Sequence, residues 1–203
     1  MKKAALLSIV LVLSLSSCYF DGWGTGISGN GNVVEDVRDV DGFTGVEVST
    51  GIDVFLSQGN NFEVVVEADE NLQEVILTEL KGDNLVVRTD HVNIRSAKSK
   101  KVHVTLPELT ELKISSAGDC VGQTPFQCGD LNLSISSAGD LTLEVEAGRI
   151  NLDISSSGDA RLAGSAEVLD ATLSSAGDLH AFDLVAGRVD VNVSRAGDAR
   201  VHA

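Results

Sequence analysis

From Leu109 onward apolar and polar positions alternate, and one five-residue segment interrupts the alternation at a nearly constant interval. Copies run from Ser115 to Asp119, Ser136 to Asp140, Ser155 to Asp159, Ser174 to Asp178 and Ser194 to Asp198, with the consensus Ser-Ser-Ala-Gly-Asp. Their aspartates are 21, 19, 19 and 20 residues apart. A period of two specifies strands, because successive side chains of an extended chain point to opposite faces. A constant step of this size specifies stacked copies of one supersecondary unit. Ahead of each segment, Leu131, Leu133 and Ile135 open a column that continues through Ile150, Leu152 and Ile154, then Leu169, Ala171 and Leu173, then Val189, Val191 and Val193. After each segment, Leu141 and Leu143, Ala160 and Leu162, Leu179 and Ala181, and Ala199 and Val201 form a facing column. Both columns are expected to point inward. The predicted fold is all-β, a β-helix or solenoid of stacked coils of about 20 residues with Ser-Ser-Ala-Gly-Asp corners. Neighbouring strands would lie roughly 4.8 Å apart.

Residues 33–107 are strand-rich but less regular. Within them, Val48 to Leu56 aligns without gaps on Ile135 to Leu143, which makes it a degenerate sixth copy. Phe62 to Ala68 reads as a strand and Asp69 to Gln73 as a helical turn. Val75 to Leu80 and Leu85 to Thr89 read as a hairpin about Lys81-Gly82-Asp83-Asn84, and Val102 to Leu106 as a further strand ended by Pro107.

The first residues change the picture from fold to place. Met1-Lys2-Lys3 is a basic start, Ala4 to Leu15 an apolar run, and Leu15-Ser16-Ser17-Cys18 has the order of a bacterial lipoprotein processing site. The expected organisation is a signal peptide over 1–17, a Gly-rich flexible tether over 18–32 carrying a lipidated Cys18, and one β-rich domain over 33–203, with regular repeats from 109. Loss of Lys2 and Lys3 with the leader takes the formal charge from −15 to −17. So acidic a chain argues against nucleic acid as a partner. The expected location is the outer membrane or surface of a Gram-negative cell, held by the lipid, with the periplasmic leaflet as the alternative.

An oxidising compartment suits the remaining cysteines. Cys120 and Cys128 flank a Gly-Gln-Thr-Pro bend and are expected to pair, the alternative being two free buried thiols. Stacking would place Asp119, Asp140, Asp159, Asp178 and Asp198 in one ladder of like charges. Each is expected to accept hydrogen bonds from backbone N–H groups of its own corner, with Gly118, Gly139, Gly158, Gly177 and Gly197 supplying backbone angles other residues avoid. The competing reading is a column of Ca²⁺ ions, against which stands the absence of the Gly-Gly-x-Gly-x-Asp spacing of calcium-binding β-rolls. No other metal and no cofactor is implied.

On the outward side of the strands before the corners, Asn132 and Ser134, Asn151 and Asp153, Asp170 and Thr172, and Asp190 and Asn192 form a lattice of short polar groups, with serines 136, 155, 174 and 194 as a third column. That face is the candidate binding surface for an extended glycan or a protein strand, although it has no aromatic platform. The plainer alternative is a solvated sheet face.

The runs Phe43 to Val54, Val65 to Leu72 and Val102 to Leu109, in that order, resemble the putative auto-transporter adhesin, head GIN domain family. The resemblance covers residues 33–203. It implies a β-helical extracytoplasmic domain, mostly on lipoproteins, and brings no catalytic residues. Asp53 departs from the family by standing where Asn is expected, and the chain lacks the closing glycine-rich coils usual there. The last coil is therefore expected either to continue in a longer protein or to self-associate with another chain.

Catalysis has little support. Ser174 or Ser175, His180 and Asp178 have the residue types of a hydrolytic triad, yet the serines and aspartate recur in every copy and the histidine does not. The expected function is non-enzymatic: a lipid-anchored envelope module, adhesin-like, binding a glycan or surface protein. A periplasmic scaffold or stress-sensing component is the alternative, and a polysaccharide-active enzyme the weaker third.

Overall fold

The computed structural model describes residues 26–202 except Ser116; the expected leader and Cys18 lie outside the described residues. The described chain is all-β apart from one 3-10 turn, Glu70–Leu72. In chain order the strands are β1 (Ile27–Ser28), β2 (Val33–Arg38), β3 (Gly45–Val48), β4 (Asp53–Gln58), β5 (Glu63–Asp69), β6 (Ile76–Lys81), β7 (Asn84–Thr89) and β8 (Ile94–Ser96). There follow β9 (Lys100–Leu106), β10 (Glu111–Ile114), β11 (Cys120–Gly122), β12 (Phe126–Ile135), β13 (Leu141–Ile154), β14 (Ala160–Leu173), β15 (Leu179–Val193) and β16 (Ala199–His202).

Two ladders face each other across one core. In the first, β7, β3, β10 and the C-terminal halves of β12, β13, β14 and β15 pair side by side, all parallel. One row of this ladder reads Val87, Val48, Ile114, Ile135, Ile154, Leu173 and Val193. In the second, β9, β4, β11 and the N-terminal halves of β13, β14 and β15 pair in parallel and end on β16. Its matching row reads Val102, Val54, Cys120, Leu141, Ala160, Leu179 and Ala199. Apart from Val193 and Ala199, at the β15–β16 end of the rows, these residues are buried, and together they form a single apolar cluster. The inward columns read from the alternation are thus inward up to β14, while Val193 is 40% exposed.

The irregular first half has an order that the alternation does not reveal. The segment of β3 and β4 sits between that of β7 and β9 on one side and that of β10 and β11 on the other. The degenerate copy is therefore second in the stack, and the pass containing β7 and β9, whose sequence lacks the five-residue signature, is first. β5 and then β2 add antiparallel strands beyond β9, and β6 closes a two-residue hairpin onto β7. Gly82, in that turn, has φ +61°, a left-handed conformation that glycine adopts without steric cost.

Residues 26–32, read as tether, are bound to the body. β1 pairs in parallel with β8, and the Gly31 N–H donates to the buried Asp69 carboxylate at 3.0 Å. Asp69 also accepts the N–H groups of Lys98 and Ser99 at 3.2 Å. Desolvation pushes this carboxyl's pKa up, but the three backbone donors together outweigh it and hold the group below the ordinary carboxylate value.

The corner glycines are required for a different reason from the one expected. None of Gly118, Gly158, Gly177 and Gly197 has φ in the left-handed region. Instead each lies against backbone of the preceding copy. A Cβ on Gly158 would overlap the Gly139 carbonyl oxygen, one on Gly177 the Gly158 carbonyl, and one on Gly118 the Ile52 carbonyl. Only the first member of this column, Ile52, carries a side chain, and it is buried. Parallel stacking at strand spacing leaves room for a hydrogen there and nothing larger.

Gly158→Ala is accordingly expected to destabilise by about 1–3 kcal/mol through overpacking against fixed backbone. Leu152→Ala, which opens a cavity mid-stack, is expected to cost about 2–5 kcal/mol. Chemical denaturation of both variants checks this, and a neutral Gly158→Ala would refute the close-stacking argument.

Candidate functional site: a polar groove and an aspartate ladder

The first ladder positions the outward polar residues by register alone. Glu111, Asn132, Asn151, Asp170 and Asp190 are successive Cα partners, as are Lys113, Ser134, Asp153, Thr172 and Asn192. All eight residues of the candidate face line one shallow groove of about 610 Å³, together with Glu111, Leu133, Leu152 and Ala171. Side chains along each row are within reach of their neighbours: Asn151 Nδ2 donates to Asn132 Oδ1 at 2.9 Å, and Arg149 pairs with Asp170. Arg188 approaches Asp170 at 4.0 Å and Lys113 bonds Glu111 at 2.8 Å, so cations border an otherwise acidic groove. Glu111 is held below its ordinary pKa by hydrogen bonds from Lys113 and then Asn84, which outweigh its desolvation. The groove therefore offers amide and hydroxyl groups and carboxylates at strand spacing. Serines 136 and 194 do not join it; their hydroxyls turn to the carbonyls of Ile114 and Leu173 on the neighbouring strand.

The aspartates form the expected ladder, with different partners. Asp159 N–H donates to Asp140 Oδ1 at 3.0 Å, Asp178 N–H to Asp159 Oδ1 at 3.0 Å, and Asp198 N–H to Asp178 Oδ1 at 2.8 Å. Each carboxylate thus accepts from the next copy rather than from its own corner. Asp198 Oδ1 accepts instead from the adjoining Ala199 N–H at 3.0 Å. Asp53 belongs to the same ladder, since its Oδ1 accepts the Asp119 N–H at 3.2 Å. The departure from Asn is thereby accounted for: either residue type presents the needed oxygen. Charge repulsion is offset by these donors and by Arg161, which reaches Asp140 and Asp159 at 3.9 and 3.8 Å. Among the described residues no three His, Cys, Asp or Glu side chains converge as a metal site, so the Ca²⁺ reading of the ladder gains no geometric support.

The cysteines are not paired. Both Cys120 and Cys128 are free thiols. Cys120 is the partner of Leu141 and Cys128 of Ala147, six residues farther along the same strand. That separation is roughly 20 Å at strand rise, far beyond the Cα distance of about 7 Å that a disulfide spans. The bend at Gly122 to Pro125 carries the chain onward instead of folding it back. Burial pushes both thiol pKa values up, assisted at Cys120 by Asp119 and at Cys128 by Glu108; that of Cys128 reaches about 11.

With fold and groove in view, comparison places the chain. Residues 42–203 match the family described as putative auto-transporter adhesin, head GIN domain. The chain belongs to this family. Among solved structures it is similar to a putative adhesin from Bacteroides fragilis, 21% identical, TM-score 0.78, covering 86% of this chain and 82% of that one. A putative lipid binding protein from Parabacteroides distasonis is 18% identical with TM-score 0.71, over 86% of this chain and 84% of that one. A putative adhesin from Parabacteroides merdae is 17% identical with TM-score 0.66, over 87% and 83%. At such identities the likeness shows the fold alone. No curated protein matches the chain significantly.

The alternation after the corners puts Phe182 and His202 on the outward face of the second wall, but the ring contacts there were not legible from it. Phe55 stacks on His103 with ring centroids 5.2 Å apart, and Phe182 on His202 at 5.4 Å. The partners are distant in sequence or sit across a bulge, so only the cross-strand register reveals them.

Asp159→Ala is expected to cost about 1–3 kcal/mol by leaving the Asp178 N–H without its acceptor. Asp159→Asn keeps an acceptor oxygen and removes a like charge, and its melting temperature should stay within about a degree or two of the parent. Equal losses in both variants would place the role in charge rather than in acceptance. Alkylation of Cys128 is expected to be slow at pH 7 and to accelerate toward pH 11, because the thiolate is the reactive form. Mass spectrometry without reductant should count Cys120 and Cys128 as free; their loss on oxidation-free preparation would contradict the register.

Proposed function

We propose that the chain is a non-enzymatic, lipid-anchored envelope module built as a β-solenoid, which presents the groove of its first wall to a partner at the surface of the outer membrane. The observation that carries this reading is the groove itself. Eight polar residues from four successive strands line it in two straight rows, each repeated at strand spacing. A periodic row of donors and acceptors suits a partner that is itself periodic and extended, a glycan chain or a β-strand. Family membership supports an adhesin-like role, and the name of one structural relative, a lipid binding protein, is the competing suggestion. Cys18, at the end of the apolar leader, supplies the anchor in this reading.

The test is a glycan array and envelope pull-down with the full chain, alongside Asn151→Ala combined with Asp153→Ala. Both side chains are outward, so the variant should keep its melting temperature while losing about tenfold or more in affinity. Proteolysis of intact cells should remove the domain. Complete protection in intact cells would favour the periplasmic scaffold, and unchanged binding by the double variant would remove the groove from the function.

A further inference from the structure

We propose that the β15–β16 end of the stack is an interaction surface for a second copy of this chain, joined about a two-fold axis by antiparallel pairing of the two β15 strands. This goes beyond the reading given to the groove and requires neither a ligand there nor an anchor.

The end is an open cross-section of the core. Among the described residues no strand pairs with the outer side of β16 or of the C-terminal half of β15. The inward column is closed one copy earlier, with Leu173 at 0% exposure, and opens here, with Val193 at 40%. Val189, Val191, Ala199 and Val201 pack on the core yet are only half-buried. Nothing on this edge keeps a neighbour away. It has no proline and no inward charge, and Val189 to Val193 alternates β-branched residues inward with short polar ones outward.

The opposite end differs, and the difference selects the occupant. There β5 and β2 lie antiparallel beyond β9, and Leu72 is buried. Gln73 Nε2 donates to the carbonyls of Val34 and Val66 at 2.9 and 3.0 Å, and Arg38 donates to the Gln73 carbonyl at 2.7 Å. β2 also carries Glu35 and Asp36. A copy added head to tail would lay apolar rows on these charges, whereas two copies meeting at their β15–β16 ends join one apolar interior to another. That contact is the same on both copies, and it closes on itself.

Backbone direction fixes how the two strands meet. β15 pairs with β14 in one unbroken register from Gly164 and Leu184 onward, the offset having passed from 19 to 20 residues at a bulge on the second wall. The Ser194 N–H donates to the Leu173 carbonyl, so by the period of two the polar backbone groups of Asp190 and Asn192 face β14. Those of Val189, Val191 and Val193 face the open side. A two-fold axis at Val191 sets Val191 against itself and Val189 against Val193, each pair exchanging N–H···O bonds. The residues between them meet as Asp190 with Asn192 and Arg188 with Ser194, and no like charges are opposed. A slide that centres the pair on Asp190 opposes two carboxylates, and one that centres it on Asn192 sets Val189 against the corner residue Arg195. With the axis at Val191 the first walls of both copies become one sheet, and the polar rows of the groove run on from one copy into the other.

Sedimentation equilibrium of the full chain over a concentration series to about 100 μM tests this, the expected result being a reversible monomer–dimer equilibrium with Kd about 1–100 μM. Val191→Pro removes an N–H that faces the open side, a position where an edge strand accepts proline. It should weaken dimerisation at least about tenfold and leave the melting temperature of the dilute protein little changed. Asn192→Asp and Asn192→Lys change an exposed outward side chain and give a second readout that does not depend on proline. The first opposes like charges on both sides of the axis and should weaken the dimer at least about threefold; the second pairs opposite charges with Asp190 and should strengthen it by a similar factor. Association through the leader or its anchor would survive all three variants. A monomer at every concentration, an association indifferent to Val191→Pro and to the charge at position 192, or an open-ended larger assembly would each overturn the assignment.

Discussion

Everything in this protein rests on one copy lying directly on the next at the distance of a backbone hydrogen bond. At the corners that contact is closest, and there the N–H of one aspartate reaches the carboxylate of the copy before it while a glycine passes beneath a carbonyl oxygen. The two requirements explain why Gly and Asp recur together. Removing the methylene from one residue lets the strands close to pairing distance, and placing a short acceptor on its neighbour satisfies a donor that the turn would otherwise leave open. The same contact fixes the register of both ladders, and from the register follow the buried rows within and the polar rows without.

The repeats were legible because each residue answers to the same neighbours in every copy. Strand type and the inward columns as far as β14 were visible in the alternation and spacing, and the same register sets Asp53 against Asp119 and brings the outward polar residues into one groove. Legibility failed where a feature depends on which segments become neighbours. The pass of β7 and β9 has no Gly-Asp corner, so its place ahead of β3 and β4 could be known only from pairing. The aspartates accept from the following copy because the stack presents that N–H, a relation between copies that a single corner does not contain. The cysteines sat close in sequence, but an extended chain carries residues apart quickly, and eight positions across a bend were enough to part them. Glycine at the corners was correctly singled out and wrongly explained, since crowding by a neighbour and an unusual φ leave the same mark in a sequence.

The two outward faces differ in character although the same strands build them. Along the first wall the rows are short amide, hydroxyl and carboxylate groups, with the cations at the margin. Along the second they are large rings and cations above the aspartate ladder. A long strand such as β13 contributes one half to each wall, so a single stretch of chain serves two surfaces without any loop being added. That economy is available only to a fold whose strands pass from one wall to the other, and it frees each face to vary while the shared interior stays apolar.

The uneven spacing of the aspartates has a further meaning. The step of 21 keeps its two surplus residues in the bend after β11, where the offset to β13 falls from 21 to 19, and the step of 20 keeps its one surplus residue in the bulge of β15. In the first wall no ladder from β10 to β15 shifts at all. The molecule thus has a ruled edge and a slack edge. Insertions and deletions that reach the ruled edge would misalign every later rung, whereas on the slack edge they are taken up locally and appear as an outward-turned side chain. Length variation arising over generations would therefore be sorted by wall: one face preserved as a fixed scale, the other supplied with new protrusions on which selection can act.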